Sequence, residues 1–336
     1  MLKPATTKEL KLDDIGFYTL SEERAKNLSN KSPIYRTEII ITPRCNFSCS
    51  YCRGPRSDWN KELSFEEVKR VVDIWTKDGL KNIRFSGGEP TVHPHLLDII
   101  KYTKSKNVER IAISTNGSAK TEFYQELVDA GVNDFSISLD ACCTSFGDQM
   151  AGVKGQFNCI VENIRYLSEI TYVTVGVVLT EENVSELNKI VEFAHKLGVA
   201  DIRIISAAQY NAILEGVKDI RDEILDCHPI LKYRVENIRN GLNVRGIKKG
   251  DCHKCYLIKD DDVVAGNKSF PCVIYMREHG DPICEVSENM REKRIKWFEK
   301  HNSYEDKICR ENCLDVCRNL NLRVEEYIFA RKNNLP

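Results

Sequence analysis

Cys45, Cys49 and Cys52 fall within one short run, Thr42-Pro43-Arg44-Cys45-Asn46-Phe47-Ser48-Cys49-Ser50-Tyr51-Cys52. Three thiolates at C-x3-C-x2-C spacing can ligate three irons of a four-iron cluster and leave the fourth iron open, and an open iron is a reaction site. The alternative is a zinc knuckle or a set of buried thiols. Structural zinc wants four protein ligands, however, and no fourth lies nearby. A second set of thiols follows downstream: Cys252-x2-Cys255-x16-Cys272, then Cys284, then Cys309-x3-Cys313-x3-Cys317. Seven thiols suffice for one fully ligated four-iron cluster with three spare, or for one complete cluster and one with an open iron. A zinc ribbon made from Cys252, Cys255 and two of the last three cysteines competes with that reading. The chain has 14 cysteines in all, and Cys142, Cys143, Cys159 and Cys227 stand outside both sets.

The elements that position the first set are legible as a rhythm. From Arg36 to Ser206, short β-branched runs alternate with amphipathic stretches, as in βα units around a parallel sheet or barrel. Strands are predicted over Thr37–Thr42, Asn82–Ser86, Arg110–Ser114, Asp134–Leu139, Tyr172–Leu179 and Asp201–Ser206. Helices are predicted over Ser64–Asp78, His95–Ser105, Thr121–Ala130, Gln156–Ser168 and Glu182–Leu197, with Gly79, Gly131 and Gly198 as stops. Right-handed crossovers wind six such strands into an incomplete barrel. The fold expected is therefore α/β, a partial (β/α)6 barrel with a smaller cysteine-rich C-terminal lobe. The expected division is a leader over 1–36 that packs on the barrel, the barrel over 37–206, a helical linker over 207–250 with a helix from Asp219 to Arg239, and the cysteine lobe over 251–336. A charged helix near Glu285–Lys300 belongs to that lobe.

The cysteine run leaves the first strand directly, on the loop where parallel barrels keep their chemistry. In Asp134-Phe135-Ser136-Ile137-Ser138-Leu139-Asp140, strict alternation turns Phe135, Ile137 and Leu139 to the outer helices and Ser136, Ser138 and Asp140 to the lumen. Ser86-Gly87-Gly88-Glu89-Pro90 follows the second strand, and a glycine pair there lets backbone approach a ligand closely, although alone it reads as an ordinary turn. Ser114-Thr115-Asn116-Gly117 closes the third strand.

The triplet Cys45, Cys49, Cys52, with Tyr51 before the last cysteine and Gly87-Gly88-Glu89 after the second strand, resembles the signature of the radical S-adenosylmethionine (SAM) superfamily. The match runs over residues 36–206. The resemblance implies that an open iron chelates SAM through its amino and carboxylate groups, and that one-electron cleavage yields a 5′-deoxyadenosyl radical. It places Tyr51, Gly87, Gly88, Glu89, Thr115, Asn116, Ser138 and Asp140 around SAM. Cys45, Cys49 and Cys52 become metal ligands, with a flavodoxin- or ferredoxin-type electron donor as partner. The downstream cysteines resemble the auxiliary-cluster lobe called SPASM, or its shorter twitch form, and Gly266 to Cys272 is close to that lobe's glycine-to-cysteine element. This implicates Cys252, Cys255, Cys272, Cys309, Cys313 and Cys317 in one or more auxiliary [4Fe–4S] clusters, although the spacing of the last three departs from the usual run.

By the same analogy the substrate expected is a peptide or protein side chain. The second enzymatic reading is a small molecule or nucleotide, because the barrel motifs also resemble the enzyme that makes the molybdopterin precursor from GTP. The chain end Lys332-Asn333-Asn334-Leu335-Pro336 lacks that family's terminal glycine pair. A non-catalytic zinc or iron–sulfur protein is the third reading. Cys142 and Cys143 follow Asp140 at a strand end, where a lumen-facing thiol would join Asp140 as a catalytic group by donating hydrogen. The competing reading makes both packing residues, and Cys227 is a weaker candidate for the donor role. His253, the acidic run Asp260-Asp261-Asp262 and the basic stretch Arg291–Lys300 read as solvated. With 49 Lys plus Arg against 50 Asp plus Glu, the net charge of −1 argues against a nucleic-acid binder. No apolar run is long enough for a membrane span and the start lacks a secretory signal, so the expected location is the cytoplasm.

Overall fold

The computed structural model describes residues 21–54, 61–207 and 216–333. Expectations for the first 20 residues of the leader, for 208–215 and for the last three residues lie outside the described chain. Helix α1 (Glu22–Asn27) precedes β1 (Arg36–Thr42). There follow α2 (Phe65–Lys77), β2 (Asn82–Gly87), α3 (Leu96–Ser105), β3 (Arg110–Thr115), α4 (Thr121–Ala130) and β4 (Asp134–Ser138). Two helices, α5 (Thr144–Ala151) and α6 (Phe157–Ile170), lead to β5 (Tyr172–Leu179), α7 (Leu187–Lys196) and β6 (Asp201–Ser206). These strands pair in parallel in the order β6-β5-β4-β3-β2-β1, the partial barrel of the α/β class expected.

The helices form for local reasons. In α2, Ser64 and Glu67 close a capping box, worth about 1 kcal/mol. Val68, Val71, Val72 and Trp75 then recur on one face and bury against the sheet, each gaining roughly 2 kcal/mol. Ile39, Ile83, Ile111, Phe135 and Ile137 meet that layer from the strands. The other strand face is polar, and Glu38, Arg84 and Ser136 are buried on it.

Beyond β6 come α8 (Asp222–Leu225) and α9 (Pro229–Arg239), where one continuous helix was expected. Pro229 sits at the first position of α9 and disfavours helix in the residue before it, which splits the stretch. The remaining elements are β7 (Asp261–Ala265), β8 (Lys268–Phe270), α10 (Val273–Arg277), β9 (Cys284–Glu285), α11 (Met290–Lys300), α12 (Lys307–Asn312) and α13 (Asp315–Lys332). β7 joins the free edge of β1 in parallel, with Arg36 opposite Asp261 and Ile40 opposite Ala265. β8 and β9 add antiparallel, so one nine-stranded sheet carries both halves of the chain.

That pairing overturns the expectation of a solvated acidic run. Asp260, Asp261 and Asp262 are 2%, 2% and 0% exposed. Asp260 accepts two hydrogen bonds from Arg24 at 2.8 Å, and Arg36 pairs with Asp261 at 2.5 Å. Asp262 accepts from Trp75 Nε1 at 2.8 Å, Ser269 Oγ at 2.7 Å and Arg294 at 2.7 Å. The basic stretch is likewise only partly solvated, since Arg294 is 1% exposed. The described part of the leader packs on α13, where Glu22 receives Tyr327 Oη at 2.6 Å and Arg323 at 2.8 Å. Among the described residues, no helix is long and apolar enough to cross a membrane.

Candidate active site

At the end of β1 the pairing with β2 slips between Ile40 and Thr42, which re-aims the chain into the cysteine loop. Thr42 O accepts from Gly88 N and Arg44 O from Glu89 N, both at 2.8 Å. A Cβ on Gly87 would lie 2.2 Å from Thr42 O, and one on Gly88 would lie 2.2 Å from Arg44 O. The sequence assigned this close approach to a ligand. The protein atoms nearest each missing Cβ belong to the end of β1 and the start of the cysteine loop.

Glu89 is 0% exposed. Its carboxylate accepts from Thr91 N at 3.0 Å, Thr91 Oγ1 and Thr115 Oγ1 at 2.7 Å, and Asn116 N at 2.7 Å. Burial raises its pKa and those bonds oppose the rise. Glu89 and Thr115 therefore tie the loop after β2 to the loop after β3. Asn116 Nδ2 continues the chain by donating to Asn46 Oδ1 at 2.8 Å, and Asn46 Nδ2 donates to Ser118 Oγ at 2.8 Å.

The far side of the cysteine loop is anchored to β4 and β5. Tyr51 Oη donates to Asp140, whose other oxygen accepts from Val178 N at 2.6 Å. Burial pushes the Asp140 carboxyl up to about 6, and the Tyr51 phenol is raised by burial and by Asp140. Asn183, 0% exposed, holds Asp140 O at 3.1 Å and Val178 O at 2.9 Å. Ser138 is exposed at the end of β4. From α5, Ala151 O accepts from Ser48 N at 3.1 Å and from Cys49 Sγ at 3.8 Å. Gly152 must lack a Cβ, which would meet Ser48 O at 2.4 Å. Neither α5 nor these roles of Asn46, Gly152 and Asn183 is legible in the sequence, because none belongs to a periodic pattern or a spaced motif.

Cys45 and Cys52 are exposed and Cys49 is half-buried. Burial raises the pKa of Cys45, and that of Cys49 to about 11, with added repulsion among the three sulfurs. Three thiols sharing one small volume at a strand end match the donor set of a cluster with one open iron, whose positive charge would offset that repulsion.

The second set converges at the opposite end of the sheet. Cys255 precedes β7, Cys272 caps α10, Cys309 lies in α12 and Cys317 in the first turn of α13. Cys255 lies within electrostatic reach of Cys272, Cys317 and Cys252, Cys309 within reach of Cys272 and Cys255, and Cys313 is hydrogen-bonded to Cys317. Burial holds Cys255 well above the usual thiol range and Cys272 at about 12. Cys317, hydrogen-bonded to Cys313 and close to Arg36, is the more acidic of that pair. Arg36 opens β1 and Thr42 closes it, so the two thiol groups are separated along the strand by about 20 Å. Cys252 turns its sulfur to Lys254 O at 3.1 Å, and Cys284 is surrounded by Arg294, Asp262 and Lys293 rather than by thiols.

Residues 39–194 match the radical SAM superfamily. A probable GTP 3′,8-cyclase of Methanococcus aeolicus is 30% identical over 206 residues, 59% of this chain and 67% of the relative. One of Thermococcus kodakarensis is 32% identical over 171 residues, covering 49% and 55%. The chain belongs to the radical SAM superfamily. The solved structure of anSMEcpe with bound AdoMet and Kp18Cys peptide has a TM-score of 0.60 at 15% identity, over 89% of this chain and 98% of that one. Streptococcus suis SuiB bound to S-adenosylmethionine gives 0.57 at 13%, over 80% and 66%. At these identities the likeness is one of fold.

This radical SAM enzyme uses a [4Fe–4S] cluster and SAM. Cys142 and Cys143 are not gathered with the cluster thiols. Cys142 is half-buried beside Cys143, Glu186 and Lys189, at the start of α7, and Cys143 is the exposed residue before α5. Cys142 packs against the hydrophobic core. Cys227 donates to Glu223 O at 3.4 Å on an exposed turn. His253 stacks on Tyr304 at 4.8 Å between ring centres.

Proposed function

We propose that this enzyme reductively cleaves SAM at a cluster on Cys45, Cys49 and Cys52 and directs the resulting radical to a hydrogen of a peptide or protein side chain. When bound, the cluster and SAM supply the 5′-deoxyadenosyl radical; the protein supplies position and exclusion of water. Gly87 and Gly88 let the loops after β1 and β2 close on each other, Glu89 fixes the loop after β3, and Asp140 holds Tyr51. Ser138 and the side chain of Asn116 are left to contact SAM, whereas Glu89, Thr115 and Asp140 act through the loops they join. Cys255, Cys272, Cys309, Cys313 and Cys317 are the thiols from which an auxiliary cluster draws its four ligands, and an electron donor of flavodoxin or ferredoxin type completes the system.

The observation that carries this reading is the placement of two thiol groups at opposite ends of β1 with a polar lumen between them. A substrate in that lumen lies between both. The fold shared with structures solved with a bound peptide supports a peptide as its occupant.

A second reading, a nucleotide substrate, is favoured by the curated relatives named GTP 3′,8-cyclase and by the lumen arginines. Arg84 lies close enough to Arg203 that burial and the second guanidinium lower its pKa to about 10. The test is anaerobic incubation of reconstituted enzyme with SAM and reductant, with 5′-deoxyadenosine as the readout. GTP should leave the background rate unchanged and candidate peptides should raise it. A GTP-dependent rise with a cyclised product would replace the first reading by the second.

A further inference from the structure

The auxiliary group holds one thiol more than a fully ligated four-iron cluster takes. With Cys252 turned to Lys254, five sulfurs remain, those of Cys255, Cys272, Cys309, Cys313 and Cys317, and four complete a cluster. Cys309 borders Cys272 and Cys255 on one side, and on the other it has neighbours that are not thiols. Cys309 Sγ lies 3.6 Å from His301 Nε2. That sulfur, a ring nitrogen of His301 and a carboxylate oxygen of Asp306 all lie within 4.8 Å of one another. Cys313 and Cys317 instead contact each other.

We propose that His301, Asp306 and Cys309 bind one divalent transition-metal ion, zinc or ferrous iron, separate from an auxiliary cluster on Cys255, Cys272, Cys313 and Cys317. One imidazole nitrogen, one carboxylate oxygen and one thiolate form a donor set for these ions, and three protein ligands leave a fourth position open. The three side chains are held in place before any ion arrives. His301 stacks on Trp297 with ring centres 3.8 Å apart, and its carbonyl accepts from Lys254 Nζ at 2.9 Å. Asp306 caps α12 by accepting from Cys309 N at 2.9 Å, while its second oxygen accepts from Tyr275 Oη at 3.0 Å. Hydrogen bonds of this outer kind orient metal ligands. All three residues are half-buried, which leaves a path for the ion.

The inference rests on the auxiliary-cluster reading only for the number of thiols left over, and its test does not depend on SAM cleavage. Holoenzyme, reconstituted with iron and sulfide and then desalted, is titrated with Co(II) as a spectroscopic stand-in and challenged with Zn(II). The expected result is one Co(II) per chain, with sulfur-to-metal charge-transfer absorption that Zn(II) abolishes. His301→Ala weakens Co(II) binding at least tenfold, and Cys309→Ser removes the charge-transfer band, both with iron content unchanged. Asp306→Asn keeps the helix cap and also weakens binding. Absence of a Co(II) site, or loss of about four irons in Cys309→Ser, overturns the proposal. Failure of SAM cleavage alongside a normal Co(II) titration counts against the proposed function and leaves this site standing.

Discussion

Cys45, Cys49 and Cys52 ride on one short loop, whereas the auxiliary thiols are collected from the turn before β7, the start of α10, helix α12 and the first turn of α13. The first group needs little loop closure, and the ends of β1, β2, β3 and β4 pin it by local hydrogen bonds. The second requires β7 docked on β1, with α10, α12 and α13 brought to the same end. One region is a motif on a scaffold, and the other is a product of tertiary structure. Damage to the first should cost a cofactor; damage to the second should cost the fold.

The largest effect is expected from Asp262→Ala. It strips Arg294, 1% exposed, and the Trp75 indole of their buried carboxylate. Leaving such a charge unpaired costs about 3–5 kcal/mol, a large part of a typical stability. Chemical denaturation of the metal-free protein measures it, and a loss under 1 kcal/mol would show that the junction of the two halves does not depend on this pair.

Gly88→Val should act on the first region alone. Its Cβ would overlap Arg44 O and push the cysteine loop away from β2. The variant should lose about four irons and its SAM cleavage while keeping its circular dichroism spectrum and auxiliary iron. Full iron content in this variant would contradict the loop-to-loop role assigned to the glycine pair.

A smaller effect comes from Asp140, raised by burial from 3.8 to about 6. Between those values the folded protein holds a proton that the unfolded chain has released, so stability falls as pH rises through that window and the full cost is present above it. The shift corresponds to about 3 kcal/mol. Urea midpoints of metal-free wild type should drop between pH 4 and pH 6, and Asp140→Asn should remove that component. Equal pH profiles would show that Asp140 titrates as an ordinary carboxylate.

The smallest effects are expected from Cys142→Ala, Cys143→Ala and Cys284→Ala. None of these thiols is gathered with either group, and iron content and 5′-deoxyadenosine release should match wild type. Loss of product with retained SAM cleavage in a Cys142 or Cys143 variant would restore the hydrogen-donor role to that thiol.

The six barrel strands could be read in advance because each repeats a local signal, a β-branched run followed by a helix at three-to-four spacing. The cluster loop was legible because its spacing is local too. β7 was not, because Asp260-Asp261-Asp262 looks like solvated charge until Arg24, Arg36 and Arg294 arrive from other parts of the chain. The function of Gly88 escaped for the same reason: the atom it must avoid belongs to Arg44, on another loop. Cys284 cannot be told from its neighbours in sequence by composition, and only its packing beside Arg294 sets it apart.

The most direct test of the account replaces Cys45, Cys49 and Cys52 together by Ala and follows iron, sulfide and the electron paramagnetic resonance of the reduced protein. The triple variant should lose about four irons and all 5′-deoxyadenosine formation, with the auxiliary iron and its signal retained. Unchanged iron in the triple variant, or a wild-type protein that carries only zinc, would contradict it.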